Sequence, residues 1–493
     1  MKTKETGLIL VFCLFVWLAC SGQKQANVWY FGNFLGLDFN YSPALILKDG
    51  QIHNCFTIDS ESASVLSDES GQLLFYTDGV SVWNRNHEVM PNGTDLWGSC
   101  TTTQTLIVPR PGYKNICYIF TASPNGDYKD ETEFPFEEKG LHYSVVDLSL
   151  DNGLGDVVEK NILLDRSTTE KIAGTFHANG RDIWVVMHEW NNNTFNAYLV
   201  TDNGLQLSPV ISQVGIVHEG GKAADNVNYA YNAIGQMKIS PNGETIALVL
   251  SDKRLADILN FNPSDGKITE VTNFSGFSEE SLYGIEFSPS SRFLYVGDFD
   301  KGIYQFDLFS DNIYNSKIVL GDDFIVHDQP GQLQLAPDGK IYVAKFDMYF
   351  IGAIHFPDKA GVECKYEQRA IELPVDGKGY CKQGLPNFIS TYLYNSELYP
   401  PDPIFEMPNV FTPNGDDYNP NFVPMRMYNI RDIDMKIVNR WGQLVYETRD
   451  LERGWDGGNS SAGVYYWRAD YEGVNSRNYS QKGYVSLMKG SIN

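Results

Sequence analysis

Three tight-turn segments constrain this chain more than any other feature: Ser240-Pro241-Asn242-Gly243, Ser288-Pro289-Ser290-Ser291 and Ala336-Pro337-Asp338-Gly339. Their prolines lie 48 residues apart twice over. Each turn follows a short alternating run (QMKI, GIEF, QLQL) and precedes a β-rich one (TIALVL, FLYVGDF, IYVAKF). A period of about 40 to 50 residues with a tight turn between two strands marks the blades of a β-propeller, not a helical solenoid. Weaker copies lie upstream, where Glu69-Ser70-Gly71 precedes LLFYTDG, Pro111-Gly112 precedes ICYIFTAS and Ala178-Asn179-Gly180 precedes DIWVVMHEW. That makes six units. A seventh is expected from both ends of the repeat region, with LPNFIST (385–391) as its inner strand and NVWYFGNFLGLDFN (27–40) as its outer strands. Such closure removes exposed sheet edges. Residues 24–394 are thus expected to form one all-β, seven-bladed β-propeller, with six or eight blades as the neighbouring counts.

Length and charge agree with this plan. The 493 residues exceed what one core of ordinary size holds, so more than one folded unit is expected. The formal net charge of -24 speaks against a nucleic-acid partner, because phosphate affinity needs clustered Lys and Arg. At the N-terminus, Lys2 and Lys4 precede an apolar run over 7–19 that gives way to small and then polar residues. This is the pattern of a secretory signal peptide, here residues 1–22 with cleavage after Gly22; a lipid anchor on Cys20 is the rival. No second apolar run is long enough to span a membrane, so no transmembrane span is expected in the mature chain. Five cysteines remain beyond the signal. Pairing of Cys364 with Cys381 and of Cys55 with Cys100 is expected in an oxidising compartment, with one thiol left over. There is no CxxC and no zinc-type Cys/His spacing.

The proline-rich stretch YNSELYPPDP (394–403) reads as a linker over 395–403, and residues 404–493 as a second domain. Its alternating runs DMKIVN, QLVYET, GVYYWRADY and GYVSLMK suit a small antiparallel, immunoglobulin-like sandwich. Five ordered blocks stand out here: PNVFTPNGDDYNPNFVP (408–424), IVNRWGQLVYET (437–448), GWDG (454–457), AGVYYWRADY (462–471) and GYVSLMK (483–489). Together they resemble the gliding-motility-associated C-terminal domain of Bacteroidota, the type B sorting domain of the type IX secretion system. The motif residues are Asn409, Phe411, Thr412, Pro413, Asn414, Gly415, Asp416 and Asn419, then Asn439, Arg440, Trp441 and Gly442, then Trp455, Asp456 and Gly457, and finally Gly463, Tyr465 and Tyr466. The resemblance implies passage through the periplasm, recognition by the outer-membrane translocon as partner, and a final place on the cell surface or in the medium. In this chain Asp417 replaces the family's second loop glycine and Pro420 its last aspartate. Asn414, Asp416 and Asn419 still present closely spaced oxygens of the kind calcium takes, against the alternative of an Asx-rich turn without metal. The Asn439–Gly442 segment is either a turn read by the secretion machinery or, with Trp441 and Trp455, part of the sandwich packing.

The propeller strings NVWYFGNFLGLDFN, LLFYTDGVSVWNRNHEVMPNG and GLPNFIST resemble uncharacterised propellers that precede this sorting domain. That resemblance implies architecture and location and brings no activity. No GxSxG elbow, Walker loop, HExxH helix or dinucleotide glycine pattern occurs in a matching context. His177, His188 and Glu189 flank one expected strand and are the candidate metal group, against turn-bonded histidines. Asp78, Asp298 and Asp300 follow second strands and are candidate channel carboxylates, against a role in accepting turn hydrogen bonds. The insertions 128–136 and 191–194 are candidate binding loops. Three functions remain open at this level: a non-enzymatic binding module for an extracellular glycan or protein, an enzyme acting on polysaccharide, and an adhesive component of gliding.

Overall fold

The computed structural model describes residues 23–53, 62–98, 105–123, 140–221, 231–277, 281–321, 329–394, 403–414, 419–428, 430–450, 454–473 and 478–489. The expected signal peptide, Cys55, Cys100, Gly415, Asp416 and the 128–136 insertion lie outside them. The chain divides into two compact units, with the boundary between Leu393 and Tyr394.

In the first unit, seven small antiparallel sheets follow one another along the chain. The three later repeats form sheets that begin at Met237–Ile239, Leu282–Phe287 and Pro330–Leu335, and the turns foreseen between their first two strands are present. Local chemistry explains their recurrence. Ser240 N–H donates to the carbonyl of Thr245 at 2.8 Å and its Oγ accepts from Thr245 N–H at 3.0 Å. Ser288 does the same with Phe293, at 2.8 and 3.1 Å. The last turn residue needs positive φ, which Gly243 (+79°) and Gly339 (+78°) take without steric cost. Ser291 takes the same region at φ +62°, so this copy of the turn is held by the strands rather than by its own preference.

The first strands of successive sheets stand side by side in chain order. Their central edges would leave backbone N–H groups without a strand partner, and the polar residues of the QMKI, GIEF and QLQL runs supply one. Gln236 Oε1 accepts from the N–H groups of both Ile285 and Leu333 at 3.0 Å, and Glu286 Oε2 from Leu335 at 3.0 Å. The alternating polar residues of the repeat are therefore buried acceptors, with Lys238 paired to Glu286 at 3.6 Å and donating to Gln334.

The closure differs from expectation. Val28–Phe31, Leu35–Asp38 and Leu45–Leu47 form a three-stranded sheet of their own, with Val28–Phe31 buried throughout and Trp29 packed edge-on against Tyr342 of the seventh sheet. The 385–391 segment does not join that sheet. It makes isolated parallel bridges, Ser64 with Asn387 and Gly174 with Ile389, and runs across the middle of the unit. Asn387 Nδ2 donates to the carbonyls of Thr105 and Ile172 at 3.2 and 3.1 Å, while Ser64 Oγ donates to the Asn387 carbonyl at 2.9 Å. The VWYF run already fills the innermost place of its own sheet, so the closing segment instead donates to carbonyls of two other sheets and accepts from the Ser64 hydroxyl of a third.

The expected Cys364–Cys381 disulfide is absent: both are buried free thiols, as is Cys117. Cys364 closes a 3₁₀ turn at 361–364 and hydrogen-bonds the Tyr295 hydroxyl. Cys381 accepts from Lys345 N–H at 3.3 Å and donates to the Lys382 carbonyl at 3.2 Å. Closeness in sequence does not bring their sulfurs together, because each is committed to a different neighbour.

The second unit has a five-stranded sheet in the order 410–411, 478–487, 463–473, 430–438, 444–448, whose first pair is parallel, and a separate pair, 404–406 with 426–428. Alternation along Gly463–Gly473 and Ile430–Val438 buries Tyr465, Ala469, Tyr471, Ile433, Met435 and Ile437. These close a single apolar core with Phe405, Phe411, Phe422 and Trp455.

Candidate binding cleft and the C-terminal motif

The turns between the first and second strands of the second, third and fourth sheets surround a cleft of about 720 Å³ in the first unit, within the range of small-ligand sites. Each turn is braced from within. Asp68 Oδ1 accepts from Ser70 N–H, Ser70 Oγ and Gln72 N–H at 2.8, 2.6 and 3.0 Å. Burial pushes the Asp68 carboxyl up, but these bonds outweigh it and hold the group below its ordinary pKa. In the Pro109–Asn115 turn, Arg110 donates from Nε and Nη2 to the Asp202 carbonyl at 3.1 and 2.7 Å, and its guanidinium lies 4.0 Å from the centre of the Tyr113 ring. The aromatic ring is thereby fixed while remaining 46% exposed. Arg181 reaches the carboxylate of the same Asp202 at 3.3 Å and is paired with Asp182 at 3.2 Å. Phe176 and Tyr392, packed edge-to-face at 5.6 Å, join buried Cys117 and Ser67 deeper in. No single motif announced this cleft; only the turn strings ESG, PG and ANG were legible, and their convergence depends on the ring of sheets.

The candidate metal group is not assembled. His177 and His188 belong to opposite ends of the strand Ile183–His188. His177 stacks on Trp184 and bonds the Asn179 N–H and the Ser264 carbonyl, the turn role weighed against a metal. Glu189 accepts from Asn192 and Asn196. His188 instead stacks on His218, ring centres 3.5 Å apart, both fully buried. Burial drives His188 down to about 3 and His218 well below the ordinary imidazole value. Thirty residues separate the two rings, so no spacing signal marks them. The channel carboxylates prove to be turn acceptors: Asp78 takes Val80 and Ser81 N–H at 2.8 and 2.7 Å, Asp298 takes Asp300 and Lys301 N–H at 2.9 and 3.1 Å, and Asp300 pairs with Lys301. Among the described residues no three His, Cys, Asp or Glu side chains converge as a metal site.

In the second unit the motif residues separate into two groups. Phe411, Trp455 and Tyr465 are core, with Trp455 5.2 Å from Phe411 and 4.9 Å from Tyr465. Asn409 accepts from Ser486 N–H, Thr412 N–H donates to the Asn419 carbonyl, Pro413 lies near Gly457, and Asp456 accepts from Gly458 N–H. Gly463 begins the long central strand, and Tyr466 faces outward. Asn414 and Asn419 flank the loop that would hold calcium; Asp416 lies outside the described residues, and these two side chains alone make no cation site. The Asn439–Gly442 turn stands apart. Asn439 Oδ1 accepts from Trp441 and Gln443 N–H at 2.9 and 3.0 Å, Gly442 turns at φ +77°, and Arg440 is exposed. Trp441 is 80% exposed, against 3% for Trp455, so only the second of these tryptophans packs the core.

Residues 405–487 match the family model described as the CHU_C type IX secretion signal domain. A comparison with curated proteins gives no match. Among solved structures, the chain is similar to the periplasmic gluconolactonase PpgL of Pseudomonas aeruginosa, at 13% identity over 64% of this chain and 93% of that one, TM-score 0.33. It is also similar to the Cps50 (Swd1) β-propeller domain from Myceliophteria thermophila, at 9% identity over 65% and 94%, TM-score 0.37. Hsv2 of Kluyveromyces lactis matches at 11% identity over 72% and 98%, TM-score 0.38. No helix among the described residues is long and apolar enough to cross a membrane. The secretion signal makes the type IX machinery a partner and the outer surface or the medium the destination. The chain is thus an all-β, propeller-type cargo whose residues 405–487 match the type IX secretion signal domain.

Proposed function

We propose that this protein is an exported binding module, in which the propeller-type unit presents a preformed cleft to an extracellular glycan or protein and the C-terminal unit serves delivery. The cleft carries this reading: about 720 Å³, bounded by turns that are each locked by their own hydrogen bonds, with the aromatic ring of Tyr113 held open at its mouth. The carboxylates best placed by sequence for acid–base work, Asp78 and Asp298, are engaged with backbone N–H groups, which favours binding over hydrolysis. Within the delivery unit, the turn presenting Trp441 is the part offered to the secretion machinery. Surface exposure of a side chain that large is otherwise a cost in solubility, and the turn is built to maintain it.

The test is fractionation of the native host with and without a working type IX translocon, followed by glycan and protein pull-down with the exported material. Surface or medium location that collapses to the periplasm without the translocon, together with a captured ligand, is the expected result. Turnover of a polysaccharide by the purified protein would refute the binding reading.

A further inference from the structure

We infer that the cleft of the first unit takes an acidic saccharide, with Tyr113 as the stacking platform and Arg110 and Lys114 as the cationic contacts for its carboxylates. The inference rests on the binding-module reading and adds the chemical class of the ligand. Three observations carry it. First, charge: in a chain of net charge -24, the cleft lining holds two cations, Arg110 and Lys114, without a carboxylate partner among the described residues, alongside Asp68, whose carboxylate is taken up by its own turn, and Glu69. Among the described residues the Arg110 side chain contacts a backbone carbonyl and the Tyr113 ring, and exposed Lys114 has no bonding partner. Arg181, by contrast, is paired with Asp182 and Asp202, so the cations left for a ligand are Arg110 and Lys114. An anion binding there gains charge-assisted bonds without breaking an existing ion pair.

Second, deeper in the cleft, two polar atoms find no partner among the described residues. Ser67 is 1% exposed and its Oγ is unbonded; Gln25 Oε1 is likewise buried and unbonded. A buried hydroxyl and a buried amide oxygen left open cost stability unless something supplies hydrogen bonds. Sugar hydroxyls, which both donate and accept, match that pair; an aliphatic ligand does not. Third, the shape: an exposed ring held flat by an arginine on one side offers its face to the C–H face of a pyranose, while Phe176 and Tyr392 give an apolar interior. A saccharide without charge would use the ring and the polar floor but leave Arg110 and Lys114 idle.

The test uses the full mature chain and two probes that differ only in charge, tetragalacturonate and its methyl ester, in calorimetric titrations at low and moderate salt. Expected are preferential binding of the acid form, weakening as salt rises, an affinity about tenfold lower in Tyr113→Ala, and a shallower salt dependence in Lys114→Gln, with the share of Arg110 left. Both side chains are exposed, and unchanged thermal unfolding of the variants excludes a folding defect. Equal binding of the two probes, with loss in Tyr113→Ala, would overturn the charge argument while leaving a glycan cleft. Binding of the acid form that both variants retain would place the ligand elsewhere, overturning the inference but not the binding-module reading. No binding of either probe, combined with capture of a protein ligand in the pull-down, would overturn the inference and the glycan arm of that reading together.

Discussion

The stacked pair His188 and His218 makes the first unit sensitive to mild acid in a way that can be calculated. Both rings are buried beside Lys171 and Lys253, with Lys171 itself donating to the carbonyls of Ala233 and Ile234 at 2.8 and 2.9 Å. Burial and these cations keep both imidazoles neutral in the fold, His188 down to about 3. In the unfolded chain each titrates near its ordinary value of about 6.5. The folded pKa is lower than the unfolded one, so below pH 6.5 the unfolded chain binds protons that the fold refuses, and stability falls as pH falls through that window. At pH 5 the loss is about 2 kcal/mol for His188, and His218 adds to it in the same direction. Burial also lifts Asp257, to about 6, which acts in the opposite sense as it protonates in the fold. A variant comparison isolates the histidines. His218→Leu keeps an apolar group against His188 and removes no hydrogen bond of the His218 ring, since neither ring nitrogen has a partner in the protein. Urea unfolding at pH 7.5 and pH 5 should show that the variant loses less stability than the parent between the two pH values, the parent's loss including about 2 kcal/mol from His188. An identical loss in both would refute the claim that this ring is held neutral.

Other outcomes follow from the packing. Asn387→Leu strips two buried carbonyls, those of Thr105 and Ile172, of their donor and should cost the first unit about 2 to 4 kcal/mol in urea unfolding. A cost under about 0.5 kcal/mol would mean that the closing segment does not lock the ring. Trp455→Ala removes a core side chain and should destabilise the C-terminal unit by about 3 to 5 kcal/mol, whereas Trp441→Ala should leave its stability within about 0.5 kcal/mol yet reduce export. Normal export of Trp441→Ala would show that this turn is not what the machinery reads. Cys117, Cys364 and Cys381 should resist a thiol reagent in the folded chain and react once it is denatured, because burial pushes all three thiols up, Cys117 and Cys381 to about 12. Mass spectrometry showing a Cys364–Cys381 bond would contradict this packing.

Legibility in the sequence followed the range of the interactions. The Ser240 and Ser288 turns are made by bonds over five residues, so their spacing alone exposed the repeat. The same holds for the Asn439 turn, closed over four residues. Alternation in Gly463–Gly473 and Ile430–Val438 foretold which faces of the tail are buried. By contrast, the route of the closing segment depends on Asn387 reaching Thr105 and Ile172, more than two hundred residues away, and a strand-like string such as LPNFIST does not say which partner it will take. The cleft is similar: Arg110 meets the carbonyl of Asp202 across two sheets, and neither residue stands out in its own neighbourhood. His177 and His188 flank one strand as expected, but each ring is taken up locally or by a distant partner, His177 by the Asn179 N–H and the Ser264 carbonyl and His188 by the His218 ring.

The position of the closing segment along the chain has a bearing on quality control. Asn387, which ties three sheets together, is synthesised only after every sheet it joins, and the secretion signal begins at residue 405, fewer than twenty residues later. A nascent chain that stops early, or one clipped by a protease anywhere before Asn387, therefore loses the lock and the address in the same event. The N-terminal piece left by either event lacks residues 405–487, so the order of parts along the polypeptide itself withholds this route from chains whose synthesis stopped before the first unit was finished.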